Sequence, residues 1–414
     1  MGTTEKERRG FSELLARQSQ LQPQEMLLPV AEGKRKPIAL GIPKELAKLE
    51  KRVAMRPEAV AILANSGFHV KVESGAGNPA KHSDREYSDA GAEIVYSSED
   101  AFQSDIVLKI APPTMEEIEY MKAGQALIST VQLGAMKEEY LHALNKKRLT
   151  SMAFELLQDR VGGLPMVRAM SEIAGSTVML IAAEYLSSIN DGKGLILGGI
   201  TGVPPTKVVI LGAGTVAEYA TRTALGLGAE VKVFDNHIYR LRRLKELLGQ
   251  HHLYTSAIDS VMLRDAITRA DVVIGALRAD DGGRTPCVVT EEMVAHMKPN
   301  SVIIDVSIDH GGCFETSEPT NHLSPTFRKY DVIHYCVPNI ASRVARTATT
   351  AISNIISPLL VQVANLGGID KMIFEHPWFA KGVYTYRGGI TSRTIAHKFN
   401  LKHKNLNLII AAHL

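Results

Sequence analysis

Short apolar runs recur along the chain, each bounded by turn residues and separated by stretches whose apolar positions repeat with a helical period. Residues 38–42, 93–96, 105–110 and 126–131 are runs of this kind, and 69–73 alternates apolar with polar. Their length and β-branched content predict strands. Between them, 57–66 opens on a proline and stops beside Gly67, and 84–90 repeats with the same period, so both read as helices. The second half repeats the scheme with runs at 208–211, 231–235, 271–275, 301–305 and 331–335. Strands that alternate with helices imply βαβ units and parallel sheets.

Two long apolar-periodic segments punctuate this order. One covers 170–190 and carries the small residues Ala174, Gly175 and Ser176, which permit close helix packing; the other covers 347–364. A glycine-rich connector, 192–202, joins the first to the strand 208–211. The segment after 364 holds no complete βαβ unit, so it is expected to return to the first sheet. The predicted fold class is α/β with two domains: a doubly wound Rossmann domain, 166–345, inserted into a discontinuous flavodoxin-like domain, 37–165 and 346–414, behind an extension, 1–36. Phe11, Leu14 and Leu15 give that extension the spacing of a short amphipathic helix. The tail 406–412 reads as a buried strand or helix end.

The turn after the strand 208–211 carries the first chemistry. It reads Gly212-Ala213-Gly214-Thr215-Val216-Ala217 and leads directly into a helical pattern. Gly212 allows the tight turn, Gly214 lets the backbone approach a pyrophosphate, and Ala217 keeps helix and strand close. The free N–H groups of the helix start favour phosphate. Asp235 closes the next strand at roughly the 20-residue distance at which an acid reaches the adenosine ribose. An acid there repels a 2′-phosphate, so NAD is the expected cofactor.

Composition narrows the partners. Charged residues make up 22%, hydrophobic residues 45%, and the net charge is +3 over 414 residues. Such a balance gives no footing for a nucleic-acid or membrane partner. Cys287, Cys313 and Cys336 are too far apart for a metal knuckle or a disulfide framework, which points to reduced buried thiols and a cytoplasmic protein, with no metal site expected.

A nucleotide domain paired with a second α/β domain implies a substrate cleft. Hydride transfer there needs a cation for a substrate carboxylate and a group that handles a proton. Arg52, in the loop after the first strand, offers a guanidinium. Lys109 lies within an apolar strand and either snorkels to an edge or serves a site. Asp309 and His310 follow the strand 301–305, where strand C-ends present ligand groups. Asn339 follows the strand 331–335 in the same way, with an Asx turn as the alternative. Ser171 and Glu172 either cap the long helix or face a phosphate.

At these residues the chain resembles the alanine dehydrogenase family, which shares ancestry with the nucleotide-binding subunit of nicotinamide nucleotide transhydrogenase. The resemblance covers about 37–400 and rests on Gly41-Ile-Pro-Lys-Glu45, Arg52-Val-Ala, Met170-Ser-Glu-Ile-Ala-Gly175, Gly198-Gly-Ile-Thr-Gly202, the turn at 212–215, Ala295-His-Met-Lys-Pro299, Ile308-Asp-His-Gly-Gly-Cys-Phe-Glu315 and Tyr335-Cys-Val-Pro-Asn339. It implies NAD-dependent interconversion of L-alanine with pyruvate and ammonia, by a homo-oligomer that is a hexamer or a dimer. It also implies that Arg52 binds the substrate carboxylate, that Asp309 and Asn339 line the nicotinamide and substrate site, that Ser171 approaches the phosphates, and that Thr255 and Ser256 lie near the adenosine. Leu277 is counted with the cofactor residues.

The departures are specific. The family's strand reads Leu-Lys-Val-Lys-Glu-Pro, and the second lysine is Ala111 here; Lys109 keeps the first. The family's catalytic histidine is replaced by Gln132, whose amide cannot exchange a proton near neutral pH. The arginine that follows Ala-Gly in the long helix is Ser176. His310 stands where the family has glutamine, so it is a candidate for the imidazole missing at 132. If residues 309 and 310 lie in an extended segment, however, they point opposite ways. Three readings remain open: an amino-acid dehydrogenase with an atypical site, an NAD-binding regulatory protein without turnover, and a transhydrogenase-type hydride-donor subunit.

Overall fold

The alternating runs close into two sheets, whose strands are β1 (Ile38–Ile42), β2 (Phe68–Glu73), β3 (Glu93–Val95), β4 (Ile106–Leu108), β5 (Ala126–Ser129), β6 (Thr150–Ala153), β7 (Lys207–Leu211), β8 (Glu230–Phe234), β9 (Leu253–Ser256), β10 (Val272–Gly275), β11 (Val302–Asp305), β12 (Thr326–Lys329), β13 (Val332–Tyr335), β14 (Val383–Tyr386) and β15 (Gly389–Ile390). The structure is a computed structural model that describes residues 37–47, 49–249, 252–279 and 283–412. The amphipathic helix expected around Phe11, Leu14 and Leu15 lies outside the described residues.

The first sheet has eight strands in the order β15-β14-β6-β5-β4-β1-β2-β3. Strands β1 to β6 pair in parallel, and β14 and β15 add an antiparallel margin. Without the three-residue edge strand β3, the parallel strands follow the 2-1-3-4-5 winding of a flavodoxin-like sheet. The second sheet has seven strands, β12-β13-β11-β10-β7-β8-β9, of which all but β12 are parallel. Its parallel part follows the 3-2-1-4-5-6 order of a dinucleotide-binding sheet, with the switch point between β7 and β10. The segment after 364 does return: β14 and β15 join the first sheet.

Central strands are buried on both faces, as parallel sheets require. Leu40, Val70 and Leu108 are fully buried in the first sheet, and Ile210, Val233, Ile274 and Ile304 in the second. Four helices matter for the site: α1 (Pro57–Asn65), α2 (Pro165–Leu186), α3 (Thr215–Gly226) and α4 (Ala345–Leu366). Proline occupies the first turn of α1 and of α2, where its missing N–H costs nothing. α2 and the stretch Ile340–Leu366 are long and apolar enough, by length and composition, to cross a membrane. Here they pack against each other and supply buried faces to the cores, Val178, Ile181 and Ala182 from α2 and Ile352, Ile356 and Leu360 from α4.

Some expectations change. α2 begins at Pro165, so Ser171 lies inside the helix and caps nothing. The tail forms the short helix Leu406–Ala411, and only Leu406 of it is buried. Cys287 is exposed, while Cys313 and Cys336 are the buried thiols. Strands β6, β9, β12, β14 and β15 escaped the sequence pattern. β6 carries Thr150 and Ser151 toward a fully buried environment, so no apolar run marks it. β12 is an edge strand without a fully buried residue.

Candidate active site

The site is assembled from strand C-ends. On the nucleotide side, Gly212 has φ +108, and a Cβ there would lie 2.5 Å from the carbonyl oxygen of Ala276. Only glycine fits, because the loops after β7 and β10 touch at the switch point. At Gly214 no atom lies within 4 Å of the position a Cβ would take, so the ground before α3 is open to a ligand. The first N–H groups of α3 face this opening and, with the helix dipole, suit a pyrophosphate. Ala213, Thr215 and Val216 complete the turn, and Ala217 is fully buried against the sheet.

Asp235 turns inward. Its Oδ2 accepts the Ala213 N–H at 2.7 Å, and its Oδ1 accepts the His237 N–H at 2.7 Å and lies 2.9 Å from His237 Nδ1. The acid therefore braces the glycine turn and keeps only its remaining acceptor capacity for ribose hydroxyls. Ser256 ends β9 beside it and lines, with Ile238, Leu241, Arg242, Lys245 and Thr255, a groove of ≈ 460 Å³. Leu277 is half-buried past β10, and its carbonyl accepts the Ser307 hydroxyl at 2.7 Å. Ser171 lies one turn before Gly175 on the same face of α2, and Gly175 meets α3 so closely that a Cβ would lie 2.3 Å from the Val216 carbonyl oxygen. The open helix start, the acid and the adjoining groove fit a dinucleotide.

On the other side, the loop after β1 carries Arg52, which is buried. Its Nε donates to Glu50 Oε1 at 2.7 Å, its Nη2 donates to Glu50 Oε2 at 2.6 Å, and its Nη1 faces Met170 Sδ at 3.5 Å. The bidentate edge of the guanidinium is thus taken by Glu50. Burial pushes the Glu50 carboxyl up, but the bonds from Arg52 and from the Asn339 amide outweigh it and hold it below the usual range.

Asn339 bridges the two sheets. Its Nδ2 donates to Glu50 Oε2 at 2.9 Å, and Asp309 stands just past the end of the neighbouring strand β11. A run of bonds therefore joins Arg52, Glu50 and Asn339. Asp309 is solvent-accessible at the end of the turn Val306–His310, yet enough protein surrounds its carboxyl that desolvation raises it, against the charge of His310 and the Asn339 N–H. That turn is a 3-10 helix, not an extended strand, so the side chains of 309 and 310 diverge by about 120°. His310 is exposed, and its carbonyl accepts the Thr285 N–H at 2.8 Å.

The loop after β5 approaches the same point. Gln132 is exposed with φ 44, and a Cβ on Gly134 would lie 3.9 Å from the Asp309 carbonyl oxygen. Glu155 fixes this loop: its carboxylate accepts the Val131 N–H at 3.0 Å and the Gln132 N–H at 3.2 Å. Burial raises the Glu155 carboxyl, partly offset by these backbone bonds and by Arg52.

Lys109 is placed differently from the catalytic role expected of it. Its side chain is buried, neither snorkelling nor open to the site, and Nζ lies 2.9 Å from Glu117 Oε1 and 3.5 Å from Glu45 Oε2. Such an ammonium is a structural counter-ion with little donor capacity to spare. Glu45 in turn accepts the N–H of Ile110 at 2.6 Å and of Ala111 at 3.2 Å, and burial raises it to about 7.

Sequence reasoning missed Glu45, Glu50, Glu155 and His322, whose Nε2 lies 3.4 Å from the Asn339 carbonyl oxygen. The available signal was Glu50 two residues from Arg52 in a cationic loop. Glu155 and His322 carried none, because their partners are distant in sequence. Among the described residues no cluster of potential metal ligands occurs.

Comparison with known proteins finds matches along most of the chain. The family model described as alanine dehydrogenase/PNT, N-terminal domain, matches residues 41–174, and the corresponding C-terminal domain model matches 178–393. An alanine dehydrogenase of Mycolicibacterium smegmatis is 39% identical over 363 residues, covering 87% of this chain and 97% of that protein. One from Methanococcus maripaludis is 38% identical over 366 residues, covering 88% and 97%. A solved L-alanine dehydrogenase superposes with a TM-score of 0.83 at 36% identity, covering 88% of this chain and 99% of its own; a transhydrogenase from Sinorhizobium meliloti gives 0.75 at 26%, covering 85% and 100%.

Proposed function

The chain belongs to the alanine dehydrogenase/PNT family, and from that premise we propose that it is a cytoplasmic, NAD-dependent amino-acid dehydrogenase that converts L-alanine, NAD and water into pyruvate, ammonia and NADH. The observation that carries this reading is the bonded run from Arg52 through Glu50 to Asn339, next to the end of β11 that carries Asp309, which brings a carboxylate binder and a proton-handling group to neighbouring strand ends. Bound NAD supplies the hydride acceptor. Arg52 Nη1 orients the substrate carboxylate, with Glu50 fixing the plane of the guanidinium. Asp309, its carboxyl raised by desolvation, exchanges the proton of the amine or of the attacking water. Gln132 and Ala111 offer no titratable group, so proton transfer rests on Asp309 and, as the second candidate, on His310.

The full-length protein with NAD and a panel of L-amino acids at alkaline pH is expected to form NADH, fastest with L-alanine. Tight NAD binding without NADH formation from any amino acid would favour the competing reading, an NAD-binding protein without turnover, which draws on the occupied edge of Arg52. His310→Ala belongs in the same assay: unchanged turnover removes His310 from the mechanism and leaves Asp309.

A further inference from the structure

The acid just past β8 repels a 2′-phosphate only as far as it faces the ribose. The Asp235 side chain is 4% exposed. Its Oδ2 accepts the Ala213 N–H at 2.7 Å, and its Oδ1 accepts the His237 N–H at 2.7 Å and lies 2.9 Å from His237 Nδ1. That ring nitrogen carries a proton in this contact, because a carboxylate only accepts. Three donors therefore compensate the carboxylate, two of them from the residue that leads into the next helix. The charge of Asp235 is thus engaged by the glycine turn and the imidazole.

A groove opens beside it, between one face of the helix Ile238–Leu248 and the end of β9. Ile238, Leu241, Arg242, Lys245 and Glu246 recur at the spacing of a single helix face, and Thr255, Ser256 and Ala257 form the opposite wall. The groove starts at the ribose position: the Asp235 N–H donates to the Ser256 carbonyl at 3.2 Å, and Ile238 follows Asp235 by three residues. Its ≈ 460 Å³ falls within the span of small-ligand pockets, about 300–1,000 Å³. Arg242 and Lys245 are its cations and Glu246 its one acid, so the lining is net positive. The neighbouring Arg243 is held by Glu218 at 3.1 Å and belongs to the contact with α3. Neither Arg242 nor Lys245 has an ion-pair partner among the described residues.

We propose that this groove is a subsite for the phosphate of a 2′-phosphorylated adenosine, with Arg242 and Lys245 as its cations, so that the protein binds NADP as well as NAD. In dinucleotide-binding sheets an arginine near the ribose-binding acid accommodates a 2′-phosphate. A guanidinium without an ion-pair partner can take that phosphate through two N–H groups at once. Lys245 adds a point charge one turn along the helix, and the Thr255 hydroxyl adds a neutral donor on the opposite wall. Glu246, next to Lys245, works against the anion. The inference concerns the cofactor alone: it goes beyond the function proposed above and requires no particular amino-acid substrate.

Isothermal titration calorimetry of the full-length protein with NAD and with NADP tests this without turnover. NADP is expected to bind within about tenfold of NAD. Arg242→Ala is expected to weaken NADP about 10-fold or more and NAD by less than about twofold, the loss that removal of a hydrogen-bonded charge brings. Lys245→Ala should act in the same direction to a smaller degree. Arg242 is exposed and Lys245 half-buried, so neither substitution opens the core. NADP weaker than NAD by more than about tenfold in the wild type overturns the inference. So does an equal loss of both dinucleotides in Arg242→Ala, which would make the groove a rest for the adenine only. A loss of neither also overturns it and leaves the two cations as solvated surface. A wild type that binds both dinucleotides but oxidises no amino acid removes the proposed function and leaves this inference standing.

Discussion

Arg52 shows what one residue can and cannot reveal. Its place after the first strand made it a candidate and the family resemblance implied a carboxylate-binding role, but nothing in the sequence announced that Glu50 would hold its Nε and Nη2. Under the proposed function the substrate carboxylate therefore relies on one guanidinium nitrogen. Arg52→Met should raise KM for L-alanine by about 10- to 100-fold, since a hydrogen bond to a charged group contributes roughly 1.5–3 kcal/mol. Steady-state kinetics at saturating NAD check this, and KM for NAD should stay within about twofold. The places of Gly212 and Asp309 were legible because a turn glycine and a strand-end acid announce themselves locally. Glu155 and His322 were not, because their partners come from other elements. Lys109 misled for the opposite reason: a cation in an apolar strand looks functional until Glu45 and Glu117 are seen beside it.

Elements with a continuous apolar run, such as β7, β10 and β11, could be read directly. Those that bury hydroxyls, such as β6, or lie at an edge, such as β12, could not, because burial of Thr and Ser is decided by neighbouring strands. The contact of α2 with α3 belongs to this scale too. Small residues in α2 signalled close packing, and Gly175 sits where a Cβ would lie 2.3 Å from the Val216 carbonyl oxygen and 3.1 Å from the Ala220 nitrogen. The obstruction is helix backbone, which cannot rotate away. Gly175→Val should therefore displace α3, cost roughly 1–3 kcal/mol of stability, and weaken NAD binding, because the start of α3 carries the phosphate-facing N–H groups. Thermal unfolding with and without NAD measures both effects; an unchanged NAD affinity would separate the helix contact from the cofactor site.

For the molecule as a whole, buried titratable groups pull in opposite directions. Burial lowers His82, with help from Arg346 and Arg56 and against Glu86 and Glu58. Burial also lowers His334, which is held between the Thr316 hydroxyl at 2.9 Å and the Val332 carbonyl at 3.0 Å, with Lys329 and Glu318 the charges near it. The unfolded chain takes up these protons near pH 6.5 and the folded chain only below it, so their contribution is complete above that pH and is lost as pH falls through the lowered native values. Glu45, raised to about 7, and Glu155, also raised, do the reverse: what they contribute is present at acid pH and lost as pH rises through the native values. The two groups flatten the stability profile in the weakly acid range. His334→Gln removes one side, so its Tm at pH 5 relative to pH 7.5 should be higher than the wild type's, by calorimetry on both proteins. The path of the chain has a mechanical corollary. It passes from the first sheet to the second between β6 and β7 and returns between β13 and β14, and α2 and α4, which carry these passages, lie against each other, with Arg343 paired to Glu184 alongside. Any movement of one sheet against the other must be absorbed at this doubled strap, because the described chain crosses between the sheets only here.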